Sequence, residues 1–167
     1  IILGAVVKGL QMKDDNEMDL FIKNLMDHQE KLHFALGRGR RRASIGVHDL
    51  NSIQAPFKVR AVPRTHSFIP LATDSEMDIE TILTQHPKGV DYAHLLDGME
   101  KVPVIEDATG SVLSFPPIIN GSHTTVHSGT RDLFIDVTGW DERACEACLL
   151  LICLALGERG GVIENLE

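Results

Sequence analysis

The run Leu113-Ser114-Phe115-Pro116-Pro117-Ile118-Ile119-Asn120-Gly121 constrains this chain more than any other stretch. Two adjacent prolines fix two φ angles and remove two backbone donors, so the segment cannot continue the interior of a sheet. It can form a rigid wall, bracketed by the polar side chains of Ser114 and Asn120, or a stiff loop packed on a core. On its N-terminal side, residues 102–106 and 111–115 flank Asp107-Ala108-Thr109-Gly110, which reads as a hairpin.

The remaining elements alternate irregularly. Residues 1–9 and 161–167 read as strands, as do Ala43 to Val47, Phe57 to Val62 and Leu133 to Val137. Asp15 to Leu36 carries Met18, Ile22, Leu25, Met26, Leu32 and Leu36 at a spacing near that of a helix turn, and Gly37 and Gly39 are placed to end it. Asp78 is a cap for a short helix from Ile79 to His86, with Pro87 and Gly89 beyond its end. Asp141 is a cap for a last helix running to Leu156. That helix is apolar almost all round after Cys145, which predicts a core position. The expected class is α+β, with a mostly antiparallel, sandwich-like sheet and flanking helices.

The length of 167 residues suits a single domain spanning 1–167 with a real core. Because the chain opens without Met inside one strand and stops inside another, an excised piece of a longer polypeptide is expected. The net charge of −8 excludes a general polycation, so any nucleic-acid contact must come from a local patch. Three cysteines and no signal-peptide pattern predict a reducing, cytoplasmic setting. Ala147 to Leu156 is the longest apolar run, far short of a membrane span.

Several groups carry possible chemistry. Gly37-Arg38-Gly39-Arg40-Arg41-Arg42 is the one dense basic run. Arginine forks match phosphates, so Arg38, Arg40, Arg41 and Arg42 are candidate RNA contacts; the alternative is a solvated turn. Asp136 and Thr138 lie two apart on a strand and share a face opposite Ile135 and Val137, which suits either a polar ligand or solvent. Cys145-Glu146-Ala147-Cys148 has redox or zinc spacing, but no second such pair exists and Cys153 follows in the same helix, so core packing is the expected role. His123 and His127 fall in a loop-like stretch, where their spacing aligns nothing, so no metal site is expected. His48 and Asp49 are adjacent on a strand and point to opposite faces, which favours a structural role for His48. Phosphate-binding loops, dinucleotide fingerprints and nucleophile elbows are all missing from the sequence.

Four runs occur in order: Gly37-Arg38-Gly39-Arg40-Arg41-Arg42 through Gly46-Val47-His48-Asp49-Leu50, His86-Pro87-Lys88-Gly89, Leu113 through Asn120, and Asp136-Val137-Thr138-Gly139. Together they resemble the editing domain of the β subunit of archaeal/eukaryotic-type phenylalanyl-tRNA synthetases, over nearly the whole chain. The resemblance implies hydrolysis of mischarged Tyr-tRNA(Phe), with tRNA(Phe), tyrosine as the edited moiety and the synthetase α subunit (in an α2β2 assembly) as partners. It implies no cofactor for this domain, and ATP and Mg for the parent synthetase. The pocket it implies comprises Ser114, Asn120, Asp136 and Thr138, with a wall at Pro116 and Pro117; it points to no catalytic nucleophile. A non-catalytic tRNA-binding or scaffolding domain of the same synthetase is the alternative.

Overall fold

A computed structural model describes residues 1–165, organised as two compact units. The first comprises Ile1–Asn51 and Val126–Glu167, the second Ser52–Thr125.

The first unit holds strands β1 (Ile2–Lys8), β2 (Ala43–Asp49), β9 (Leu133–Gly139) and β10 (Val162–Asn165), in the order β10-β1-β9-β2, every pair antiparallel. Period-two alternation sends Val7, Ile45, Val47, Leu133, Ile135 and Val137 to one face. There they pack with Met18, Phe21, Leu25 and Leu32 of helix α1 (Asp15–Ala35) and with Cys145, Cys148, Ile152 and Leu156 of helix α4 (Glu142–Gly157). Both helices start at aspartate caps: Asp14 accepts from the Glu17 amide at 2.9 Å, and Asp141 from that of Ala144 at 3.1 Å.

The chain leaves α1 through Arg38, Gly39 and Arg40, all with positive φ, and enters β2 at the sheet edge. Helix α1 closes the middle of that edge. Gln29 donates to the Ile45 carbonyl at 2.7 Å, and the Ile45 N–H donates to His33 Nε2 at 2.8 Å. Gln29 and His33 are one helical turn apart, so both groups of one strand residue are satisfied by neighbouring positions on the helix.

The second unit is built on the sheet order β3-β6-β7-β8, formed by Lys58–Pro63, Lys101–Glu106, Val112–Phe115 and Ile119–Asn120. Ser67–Phe68 (β4) and Met77–Asp78 (β5) form a separate two-stranded ribbon. Helices α2 (Ile79–Gln85) and α3 (Pro87–Tyr92) contact one another closely at Gly89, where any β-carbon would collide with the Ile82 carbonyl. Ile79, Ile82, Val102, Val104, Phe115 and Ile118 form the centre of its core.

The α+β class with antiparallel sheets and flanking helices is observed as the sequence predicts. Three local expectations change. Helix α2 ends before Pro87 as expected, but Pro87 also starts α3 at its first turn, where its missing N–H is harmless, and His86 caps that helix through Nδ1 at 3.2 Å from the Lys88 amide. Helix α4 buries only one face and leaves Leu150, Leu151 and Leu154 exposed. The expected strand over 161–167 is β10 at Val162–Asn165, and its last two positions lie outside the described residues.

Candidate functional site

Asp136 sits at the middle of β9, between two glycines: Gly4 of β1 on one side and Gly46 of β2 on the other. Its side chain leaves the sheet on the face away from α1 and α4, since its neighbours Ile135 and Val137 belong to the helix-covered core. Thr138 and Phe134 share the Asp136 face, as do Ser44 and His48 of β2. The face therefore juxtaposes a carboxylate, two hydroxyls and an imidazole.

The carboxylate is 1% exposed and bonded to His48, with Nε2 2.7 Å from Oδ2. An ionised carboxylate can only accept, so the imidazole Nε2–H donates. The pairing is diagonal. Asp136 lies opposite Gly46 and His48 opposite Phe134, so the two side chains meet over Gly46. A β-carbon at residue 46 would strike both the Asp136 carboxylate and the His48 ring. The Phe134 ring stacks on His48, with centroids 5.8 Å apart and planes at 28°. The carboxylate that His48 pairs with is Asp136 rather than the adjacent Asp49. Asp49 lies 3.4 Å from His127 Nε2.

In the second unit, Ser114 and Asn120 face each other across the β7–β8 ladder. The connecting turn holds Pro116 and Pro117, joined by a cis peptide bond, and is closed by the Ile118 N–H donating to the Phe115 carbonyl at 2.8 Å. Phe115 and Ile118 anchor the turn in the core. The prolines thus occupy a hairpin tip, as their lack of ladder donors requires. Ser114 is buried and Asn120 half-buried.

The arginine run divides. Arg40 is buried and donates to Glu30 Oε1 at 2.7 Å, so its charge is committed inside the fold. Arg42 lies 3.6 Å from Asp141 Oδ2, and its carbonyl accepts from the Trp140 and Asp141 amides. Arg38 and Arg41 are exposed.

All three cysteines are buried in α4, on the helix-covered side of the sheet. Burial pushes the Cys145 and Cys153 thiols up, and burial together with Cys145 pushes Cys148 to about 11. These are protonated core thiols, not nucleophiles, at neutral pH. Among the described residues, no group of three His, Cys, Asp or Glu side chains is placed to hold a metal ion, and no helix is long and apolar enough to cross a membrane.

Two features escaped the sequence reading. The His48–Asp136 pair depends on the register between strands 88 residues apart; its only local trace is Gly46 two positions before His48, which opens space on that same face. Trp140, the only tryptophan, follows Gly139 at the end of β9 and is 79% exposed.

A sheet whose central strand presents a carboxylate between two glycines, with a proline-tipped hairpin in a companion unit, defines an α+β domain, and its residues 7–147 match the B3/4 domain. The chain belongs to that family. Its particular relatives are phenylalanine–tRNA ligase β subunits. The chain is 49% identical over 167 residues to that of Methanococcoides burtonii, covering 99% of this chain and 30% of the relative. It is 48% identical over 166 residues to that of Archaeoglobus fulgidus, covering 99% and 29%. An N-terminal fragment of the phenylalanyl-tRNA synthetase β subunit from Pyrococcus horikoshii superposes with a TM-score of 0.90 at 38% identity, over 98% of this chain and 46% of that one. The chain therefore spans about 30% of the length of the curated relatives it matches. The likeness to the archaeal/eukaryotic-type editing domain, read from four motif runs, is borne out.

Proposed function

We propose that this domain proofreads for a cytoplasmic phenylalanyl-tRNA synthetase, as part of its β subunit, by hydrolysing the ester of Tyr-tRNA(Phe). Residues 1–167 form the editing domain on this reading, and the α subunit of an α2β2 assembly carries the ATP- and Mg-dependent charging. The observation that carries the reading is the buried carboxylate of Asp136, set between Gly4 and Gly46 on a family-matched sheet.

Each residue then has a task. The Asp136 carboxylate pairs with the α-ammonium of the aminoacyl ester, the stronger of the two bonds a carboxylate can form with tyrosine. Thr138 supports the same group from the same face. Taken by itself, the second unit offers Ser114 or Asn120 to read a phenol hydroxyl, with Pro116 and Pro117 as the wall beside them. Tyrosine and phenylalanine differ by one hydroxyl. A site built to bond that hydroxyl discriminates by about 10⁴ or more, because its buried polar groups go unpaired with phenylalanine. With the thiols protonated on the far side of the sheet, the attacking group is a positioned water, and backbone amides or tRNA hydroxyls stabilise the developing charge.

The test is release of labelled tyrosine from Tyr-tRNA(Phe) by the synthetase that carries this domain. Asp136→Ala is expected to abolish release and leave phenylalanine charging intact. Release by the wild type no faster than in buffer would refute the editing reading and leave a tRNA-binding or scaffolding domain. Normal release by Asp136→Ala would move the pocket elsewhere.

A further inference from the structure

Exposed aromatic rings stand at both ends of the basic run. Of the six phenylalanines, one tyrosine and one tryptophan, the exposed ones are Phe34 and Trp140, at 81% and 79%. Phe34 lies on the last turn of α1, four residues before Arg38. Trp140 is attached to the other end: its amide donates to the Arg42 carbonyl at 3.1 Å, continuing the β2–β9 ladder one step past the Ala43–Gly139 pair. A neighbouring bond of 3.3 Å from the Asp141 amide to the same carbonyl fixes the main chain on either side of the ring.

The placement is informative because the rest of the chain treats aromatic rings differently. Phe21, Phe68, Phe115 and Phe134 are buried, as large apolar side chains usually are. The only tryptophan is instead held out to solvent by main-chain bonds to an arginine. Rings beside free guanidinium groups are what unpaired nucleotides need: a face on which a base can stack and charges for its phosphates. Arg38 and Arg41 are exposed, and Arg42 is half-exposed beside Asp141. The Asp141 carboxylate is engaged by the Ala144 amide and by Arg42, which tempers its repulsion of phosphate.

We infer that Trp140 is a stacking platform for an unpaired base of RNA, whose phosphates are held by Arg38 and Arg41. The inference rests on the reading of the arginine run as an RNA contact and adds the ligand's form: single-stranded rather than duplex. A protein surface that covers Trp140 is the competing occupant. The uneven charge favours RNA, because the one dense basic run of a chain with net charge −8 lies beside this ring.

Residues 1–167 contain a single tryptophan, so in this chain the test is direct: its emission reports only on position 140. The probes are a short unpaired RNA of mixed sequence and a duplex of equal length, with binding followed separately by the anisotropy of a label on the RNA. The single strand is expected to quench Trp140 emission saturably and in step with its anisotropy. Trp140→Ala is expected to weaken single-strand binding about 5- to 150-fold, the range for one base–aromatic stack, while Trp140→Phe restores most of it. Single-strand binding with unchanged Trp140 emission and undiminished affinity in Trp140→Ala would overturn the platform but leave the arginine reading standing. Absence of RNA binding at low salt would overturn both. Equal quenching by the duplex would overturn the preference for unpaired bases.

Discussion

Arg40 and Glu30 form a 2.7 Å ion pair that turns one arginine of the basic run back onto the helix preceding it. Arg40 is 6% exposed in its side chain and Glu30 47%, so the pair is anchored in the fold at one end and wet at the other. The arginines therefore have unequal jobs. Arg38→Ala with Arg41→Ala is expected to weaken tRNA binding and flatten its salt dependence by roughly one unit per lost phosphate contact. Arg40→Ala is expected to lower folding stability by about 1–3 kcal/mol, because the half-exposed Glu30 keeps the loss below that of a fully buried pair. Salt-titrated tRNA binding and urea denaturation on both variants check the division. A stability loss in the double variant, with unaltered binding, would reverse it.

His48 is expected to matter for editing through Asp136. His48→Leu removes the donor at 2.7 Å and leaves a buried carboxylate without it. His48→Gln can still donate from a similar position. The expected result is a drop in tyrosine release of about 10- to 100-fold for the leucine variant, the range seen when outer partners of ligating groups are removed, with substantial recovery in the glutamine variant. Equal activity in the two would show that the bond serves packing alone.

Ser114 and Asn120 face each other across the β7–β8 ladder, so their effects should be coupled. If they read the phenol, Asn120→Ala narrows the gap between Tyr-tRNA and Phe-tRNA hydrolysis. Measured on both esters, a loss confined to the tyrosyl ester supports phenol reading. A parallel loss on both assigns Asn120 to positioning the ester or the water.

His33 makes stability depend on pH. Burial, as the largest cause, lowers its folded-state pKa below the ordinary 6.5, and nearby Arg40 lowers it further, against opposing contributions from Glu30 and the Ile45 backbone. The unfolded chain thus takes up a proton that the folded chain resists. Stability from the neutral ring is fully present above pH 6.5 and is lost as pH falls from there through the folded-state value. Denaturation midpoints should fall over that window. His33→Gln, whose amide oxygen can accept from Ile45 without titrating, should flatten part of the slope. The remainder includes His86, whose pKa is also lowered, first by burial and then by Lys88.

Helix starts were legible because caps act locally: Asp78 and Asp141 announce α2 and α4 within three residues. The shared face of Asp136 and Thr138 was legible for the same reason, since strand alternation needs no tertiary information. Pro87 correctly marked the end of α2 but hid the start of α3, because one residue type both ends helices and begins them. The apolar surround of α4 gave no sign of which face would stay exposed, as composition does not reveal how many elements pack on a helix. The two facts that most shape the site were out of local reach. Gly46 reads as a weak strand residue until β2 is registered against β9 and the glycine proves to sit opposite Asp136. Arg40 reads like its neighbours until its left-handed backbone turns it inward.

The bonds from Gln29 and His33 to Ile45 have a consequence for how this domain can misassemble. A sheet grows by adding a strand to an edge whose amides and carbonyls are free to template it. At β2, Ile45 already has both groups occupied by a helix, so a second chain meets a finished border there. The other border of the sheet is β10. Runaway strand addition should therefore proceed from one side only, and acid that protonates His33 would unlatch the second.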